Sequence, residues 1–239
     1  MMDSLYIVIP AYNEEGNIED VIRQWYPFID ARVSGNSVDS RLVVADSGST
    51  DRTHSIISKL QSDFPQLDVL FTKKQYHGPK VIALYKYAIA NNADYIFQTD
   101  SDGQTNPLEF PSFWQDRNKY VGIFGNRSVR GDGRERAAVQ KVCCFLLRLF
   151  FGVKIPDSNA PFRLMNAKTL SKYIDFLPED YNIPNVVMTA LFARYEKEIC
   201  FREITFRNRV AGINSLSLRK IILIGVSAIS DFIKFRKVL

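Results

Sequence analysis

The sequence predicts an α/β fold, a mostly parallel sheet flanked by helices, in one domain closed by a C-terminal amphipathic helix. Three observations carry this expectation. The first half of the chain alternates short β-type runs with segments whose apolar residues recur at the helical period. The 239 residues, 46% hydrophobic and 24% charged, suit a globular chain with a core of its own. Three polar loops, "PAYNEE", "DSGSTD" and "DSDGQ", each close a β-type run, and ligands of open parallel sheets sit at the carboxyl ends of strands.

Taken in order, "LYIVI" (5–9) is a short β-branched run, and the segment after it carries Ile18, Val21, Ile22 and Trp25 on one helical face. "RLVVA" (41–45) leads through "DSGSTD" to a helix with Ile56, Ile57 and Leu60. "DVLFT" (68–72) precedes "HGPK" and a helix with Val81, Leu84, Tyr85 and Ala88 inward, where Pro79 suits the first turn. "DYIFQT" (94–99) then ends on Asp100. Further on, "VGIFGN" (121–126) reads as a strand and 135–151 as a helix. "IPDSNAPFRLMN" reads as a loop running into a short strand, followed by helices near 167–175 and 184–195 and a strand near 198–206. No linker divides the chain, so 1–217 is expected as one domain and 218–239 as a terminal helix.

Composition removes several classes of function. Cys143, Cys144 and Cys200 form no CxxC pair and no even framework, which fits a reducing, cytosolic setting. His54 and His77 share no motif, so a histidine-rich zinc site or a Ser-His-Asp triad has little to work with. "MMDSLYIVIPAYNEE" has no basic n-region, and no apolar run reaches the ~18 residues of a membrane span. The net charge of +5 is uneven: residues 126–148 hold six Lys/Arg against two acids, and 202–239 hold eight against two. Something anionic is expected to meet that second half.

The apolar run of residues 221–229 lies between Arg219–Lys220 and Lys234, Arg236 and Lys237. As a helix it would span ~14 Å, half of a ~30 Å hydrocarbon core. A segment of that kind lies in a membrane interface; a core helix with a charged end is the alternative. "VCCFLLRLFFG" could add a second interfacial helix.

The loops carry the chemistry. Asp100 and Asp102 at i and i+2 share one side of an extended chain, and two carboxylates at a strand end can hold Mg²⁺ or Mn²⁺, with Gln104 as a neutral oxygen. An acidic turn explains the same residues. Tyr12 and Glu14 supply an aromatic face and a carboxylate for a base and ribose, although Asn13 also suits a helix cap. Asp46, Gly48 and Ser49 likewise suit either a site or a turn. Arg127, Arg130, Arg134, Arg136 and Lys141 offer planar forks and charge for phosphate oxygens, or a solvated loop.

Together the three loops resemble glycosyltransferase family 2, whose members use nucleotide sugars and have the GT-A (Rossmann-like) fold. The family's P-x-Y-N-E is similar to Pro10, Tyr12, Asn13 and Glu14, and its D-D-G-S-x-D to Asp46–Asp51, with Ser47 in place of the second acid. Within the family the polyprenyl-phosphate sugar synthases are nearest. Their D-A-D-x-Q resembles Asp100–Gln104, and their D-P-T-S-G-F-R resembles Asp157–Arg163. Their R-x-x-G-x-S-K resembles Arg209–Ser215, with Ser215 where lysine is expected.

The resemblance implies a donor site of Pro10, Ala11, Tyr12, Glu14, Asp46, Asp100, Ser101 and Arg209, and Asp100, Asp102 and Gln104 on the metal. It implies Arg127, Arg134, Arg136 and Lys141 on the acceptor phosphate, and a catalytic set of Asp100, Asp102, Arg127 and Asp157. The expected reaction is inverting, metal-dependent transfer of one sugar, from GDP-mannose or a UDP-hexose, to a polyprenyl phosphate. It would occur at the cytosolic face of a membrane, with a separate membrane subunit as a further partner. A lipid phosphate is already ionised near neutral pH (second pKa about 6) and needs positioning rather than a base. The alternative is a family member acting on a sugar hydroxyl of a lipid-linked or surface glycan, with Asp157 or the Glu179–Asp180 pair as base. Nucleic-acid binding is not expected, because the basic clusters adjoin aliphatic runs rather than interleaved aromatics.

Overall fold

Seven strands are laid down in the computed structural model, which describes residues 3–30, 39–71, 76–130, 133–208, 229 and 231–233. They are β1 (Leu5–Ala11), β2 (Arg41–Asp46), β3 (Leu67–Phe71), β4 (Tyr95–Thr99), β5 (Gly122–Arg130), β6 (Phe162–Asn166) and β7 (Ile199–Phe206). One sheet contains them all, in the order β3-β2-β1-β4-β6-β5-β7. Every neighbouring pair is parallel except those of β6, which runs antiparallel to β4 and β5. The first four strands have short, apolar, β-branched sequences, and β1, β2 and β4 are buried almost throughout, as strands covered on both faces must be.

The helices are α1 (Ile18–Trp25), α2 (Thr53–Asp63), α3 (His77–Ala90), α4 (Phe110–Gln115), α5 (Arg134–Phe151), α6 (Ala167–Ile174) and α7 (Pro184–Tyr195). Strand residues of alternating parity divide between two cores. Leu5, Ile7, Ile9, Leu42 and Val44 meet α1, α2 and α4. Tyr6, Val8, Val43, Ala45 and Ile96 meet α3, α5, α6 and α7. On the first side Phe97 is ringed by Trp25, Phe110 and Phe162 at centroid distances of 5.1, 4.8 and 4.7 Å. Truncating such a residue costs about 3–5 kcal/mol.

The helix α4 and the turns at Tyr26–Phe28 and Pro107–Glu109 have no counterpart among the sequence expectations. Each is six residues or fewer and contains proline, too short for a helical period to declare itself. The terminal helix expected over 218–239 lies outside the described residues, apart from a helical turn at 229 and 231–233. In that turn Phe232 is buried against Phe150 and Phe151 at the end of α5. Among the described residues, no helix is long and apolar enough to cross a membrane.

Strand β1 pairs with β2 on one side and β4 on the other, so the chain changes direction of sheet growth there. Open α/β sheets bind ligands in the crevice that such a reversal leaves. The loops "PAYNEE" and "DSDGQ" leave β1 and β4 on its two sides.

Candidate active site

Short hydrogen bonds tie the three loops to one another. Ser101 Oγ donates to the Pro10 carbonyl at 2.9 Å, joining the ends of β4 and β1. Asn13 N donates to Ser49 Oγ at 3.0 Å, Thr50 N donates to Asn13 Oδ1 at 2.8 Å, and Glu14 N donates to Thr53 Oγ1 at 2.8 Å. Asn13 has φ of 54°, a left-handed conformation that asparagine tolerates and most residues do not. It therefore links the first two loops rather than capping α1; no side-chain cap bond is made at the start of that helix. Asp46 is buried and accepts from Ser49 Oγ at 2.6 Å, while His54 Nδ1 lies 3.5 Å from its other oxygen. Glu14 is buried and accepts from Asn17 Nδ2 at 2.8 Å, whereas the ring of Tyr12 is exposed.

Lys80 enters this cluster from the first turn of α3. Only 2% exposed, it donates from Nζ to the Ala11 carbonyl at 2.7 Å and lies 5.1 Å from the centre of the Tyr12 ring. Burial pulls its ammonium down to about 8, opposed by the charges of Asp46 and Glu14. Sequence reasoning assigned Lys80 nothing. The available signal was a lysine beside Val81 and one turn before Leu84, on the face that the apolar period turns inward.

The carboxylate pair follows β4. Asp100 and Asp102 are half-buried, and Gly103, at φ of 70°, turns the chain directly after them. Asp100 Oδ1 accepts from Gln98 Nε2 at 3.0 Å and lies 3.2 Å from His77 Nε2. Asp102 Oδ1 accepts from Gln104 N at 3.1 Å. Gln104 is held by Arg207, donating from Nε2 to its carbonyl at 2.7 Å and accepting from its amide at 2.8 Å. That contact brings the end of β7 to the acidic loop. Two carboxylates and an amide oxygen form a hard donor set that fits Mg²⁺ or Mn²⁺. Among the described residues no three His, Cys, Asp or Glu side chains converge. Such an ion would therefore take its remaining ligands from substrate phosphates and water, as these small hard cations commonly do.

A second polar cluster is built on β5 and the loop before β6. Arg127 and Asp157 form a buried two-pronged pair, Nε to Oδ2 at 2.7 Å and NH2 to Oδ1 at 3.0 Å. The amides of Arg127 and Asn159 donate to the same carboxylate. Burial pushes the Asp157 carboxyl up, but the hydrogen bonds and charge of Arg127 outweigh it and hold the group below the ordinary carboxylate range. The Arg127 guanidinium also lies 5.0 Å from the Phe206 ring. Helix α5 is fastened to this loop by Gln140 Nε2 on the Pro156 carbonyl and by Ser158 Oγ against Cys143 Sγ at 3.6 Å. The three cysteines are free thiols, and burial pushes Cys143 up to about 11.

Arg136 and Lys141 lie along α5, half-buried and exposed respectively. Arg134 opens that helix, with its side chain outside what is described, and Arg209 lies outside the described residues. Glu179 and Asp180 are exposed on the loop before α7, with Glu179 4.0 Å from Lys86.

Comparison with known proteins gives these observations a context. The family model of "Glycosyl transferase family 2" matches residues 6–174. An undecaprenyl-phosphate mannosyltransferase of Micrococcus luteus is 26% identical over 217 residues, covering 88% of this chain and 86% of the relative. A dolichol-phosphate mannosyltransferase of Pyrococcus furiosus is 29% identical over 126 residues, 52% of this chain and 33% of its own length. Among solved structures, the glucosyl-3-phosphoglycerate synthase of Mycobacterium tuberculosis with Mn²⁺, UDP-glucose and phosphoglyceric acid superposes with a TM-score of 0.66. It is 21% identical and covers 95% of this chain and 80% of that one, a likeness of fold.

Proposed function

The chain belongs to glycosyl transferase family 2 and is a glycosyltransferase, and on that premise we propose that it moves one sugar, with inversion, from a nucleotide-diphosphate sugar to a polyprenyl phosphate. GDP-mannose and UDP-hexoses are the donors proposed, and the cytosolic face of a membrane is the proposed place of reaction.

The observation that carries this proposal is the state of Asp157. A hydroxyl acceptor must lose a proton to a base, and Asp157 is the buried carboxylate available on the acceptor wall. Both its oxygens are engaged by Arg127, and it is held ionised below its ordinary range. A carboxylate so stabilised is a weak base. A phosphomonoester needs none, since its second proton is largely gone near neutral pH (pKa about 6). It needs a positioned cation, and Arg127 is held in one orientation by its partner.

In the transfer, a phosphate oxygen of the lipid attacks the sugar C1 from the face opposite the diphosphate. The C1–O bond to the donor breaks, and its electron pair leaves with the nucleoside diphosphate. Tyr12, Glu14 and Asp46 receive the base and ribose, with Lys80 seating the loop that carries Tyr12. Asp100, Asp102 and Gln104 would hold Mg²⁺ or Mn²⁺, which neutralises charge on the departing diphosphate, worth several kcal/mol of barrier. Arg127, with Arg136 and Lys141, orients the acceptor phosphate.

Support for the membrane comes from α5. Its outward stripe of Lys141, Val142, Phe145, Arg148 and Leu149 is exposed, three apolar residues with two cations among them, next to the loop of Asp157. Exposed Ile233 adds to it where the terminal turn packs on the end of this helix. Surfaces of this pattern settle into anionic interfaces.

The test is transfer of labelled sugar from a GDP-mannose and UDP-glucose panel to undecaprenyl phosphate in liposomes, with and without Mn²⁺. The expected product is an acid-labile lipid-linked monosaccharide, absent with chelator or with Asp100→Asn. Transfer only to a glycan hydroxyl, lost in Asp157→Asn or Asp180→Asn, would replace the proposal by its rival.

A further inference from the structure

Beneath Asp100 runs a chain of buried polar side chains that no motif contains. Gln98 Nε2 donates to Asp100 Oδ1 at 3.0 Å, Asn185 Nδ2 donates to Gln98 Oε1 at 2.9 Å, and Tyr85 Oη donates to Asn185 Oδ1 at 2.8 Å. All three are 0–3% exposed and come from β4, α7 and α3. Direction in this chain is set from one end. An ionised carboxylate only accepts, so Gln98 must turn its NH₂ to Asp100 and its oxygen away; Asn185 must then donate to that oxygen, and Tyr85 to Asn185. Polar groups this deep are costly unless each is satisfied, and here each hydrogen bond specifies the next.

The same turn of α7 reaches the acceptor wall. The carbonyl of Asn185 accepts from Arg163 NH1 at 3.1 Å, and Arg163 also donates to the Ala160 carbonyl at 3.2 and 3.0 Å. Thr189 Oγ1 lies 2.9 and 2.8 Å from the Ser158 and Asn185 carbonyls, which share its single proton. Arg163 is a fully buried cation satisfied mainly by carbonyl oxygens of the loop that bears Asp157.

We propose that Asn185 is a positioning residue whose side chain fixes the metal-binding carboxylate Asp100 through Gln98, while its carbonyl fixes the acceptor loop through Arg163. One helical turn thereby sets the distance between the two halves of the site. This rests on the function proposed above, in that Asp100 is taken as a metal ligand. The two arms are separable: side-chain changes at Gln98 and Asn185 act on metal and donor, and loss of the Thr189 hydroxyl acts on the acceptor.

The experiment is a Mn²⁺ titration by electron paramagnetic resonance, with melting curves for every variant and KM for undecaprenyl phosphate in micelles. Gln98→Met and Asn185→Leu are expected to weaken Mn²⁺ binding five- to fifty-fold, and Tyr85→Phe about two-fold, while Thr189→Val keeps Mn²⁺ affinity and raises the acceptor KM at least five-fold. Should Asn185→Leu not fold, Gln98→Met and Tyr85→Phe decide the first arm. Wild-type Mn²⁺ affinity in Gln98→Met, with Asp100→Asn unable to bind, overturns the inference alone. An acceptor KM unchanged in Thr189→Val overturns its second arm. A wild-type protein that binds Mn²⁺ no better than Asp100→Asn overturns the proposed function with it.

Discussion

Lys80 Nζ donates to the carbonyl oxygen of Ala11 at 2.7 Å, so a helix after β3 holds the loop that leaves β1. The ammonium lies under the Tyr12 ring and near two buried acids, Glu14 and Asp46. A buried lysine at the proposed donor site trades stability for a seated loop.

Lys80→Met should show that trade. Burial lowers the group from 10.5 to about 8 in the folded protein. Between those values the unfolded chain binds more protons, so stability rises with pH through that window and the full penalty applies below it. The penalty is at most about 3 kcal/mol, offset by about 1 for the Ala11 hydrogen bond. The variant should melt higher than wild type at pH 7, lack the rise between pH 8 and 10, and bind nucleoside diphosphate about ten-fold more weakly. Calorimetry at several pH values reads both effects.

Breaking the Arg127–Asp157 pair from one side leaves a charge buried alone. Asp157→Asn should cost about 3–5 kcal/mol in denaturant unfolding. Because the folded carboxyl is depressed, its contribution is present above the unfolded value near 3.9 and lost as pH falls through the folded one. The wild type should therefore lose stability below about pH 4 more steeply than the variant. Arg127→Lys retains charge but not the fork and should raise the acceptor KM at least ten-fold with a smaller stability loss.

The outward stripe of α5 predicts a change in binding without a change in fold. Phe145→Glu and Leu149→Glu alter exposed positions and should shift stability by no more than about 0.5 kcal/mol. Sedimentation with anionic vesicles should fall at least ten-fold, and affinity for nucleoside diphosphate should stay as it was. Vesicle binding by both variants equal to that of the wild type would overturn the proposed membrane role of this helix.

Gly78 fixes where α3 begins. A Cβ there would lie 2.3 Å from the Tyr181 carbonyl oxygen and 2.4 Å from that of Asn182, both backbone atoms. Gly78→Ala should cost about 1–3 kcal/mol through overpacking. It should also weaken nucleotide and Mn²⁺ binding together, since His77 and Lys80 flank the displaced turn.

Much of the fold was legible because its signals are local. β-branched runs near 5–9, 41–45 and 94–99, and helical faces such as Ile18, Val21, Ile22 and Trp25, are written in neighbouring residues, and each became the expected element. The three loops were legible for the same reason, since short polar stretches after apolar strands fall at one end of a parallel sheet. Local sequence cannot name partners. That β6 runs antiparallel between β4 and β5, that Lys80 is buried under Tyr12, that Arg127 closes on Asp157 thirty residues away, and that Tyr85 reaches Asn185 one hundred away follow from how helices pack on the sheet. A charged or amide side chain has the same local spelling whether it faces water or the interior. Only packing, by removing water, obliges it to find a partner, and so the tertiary structure decided which polar residues came together in the candidate site.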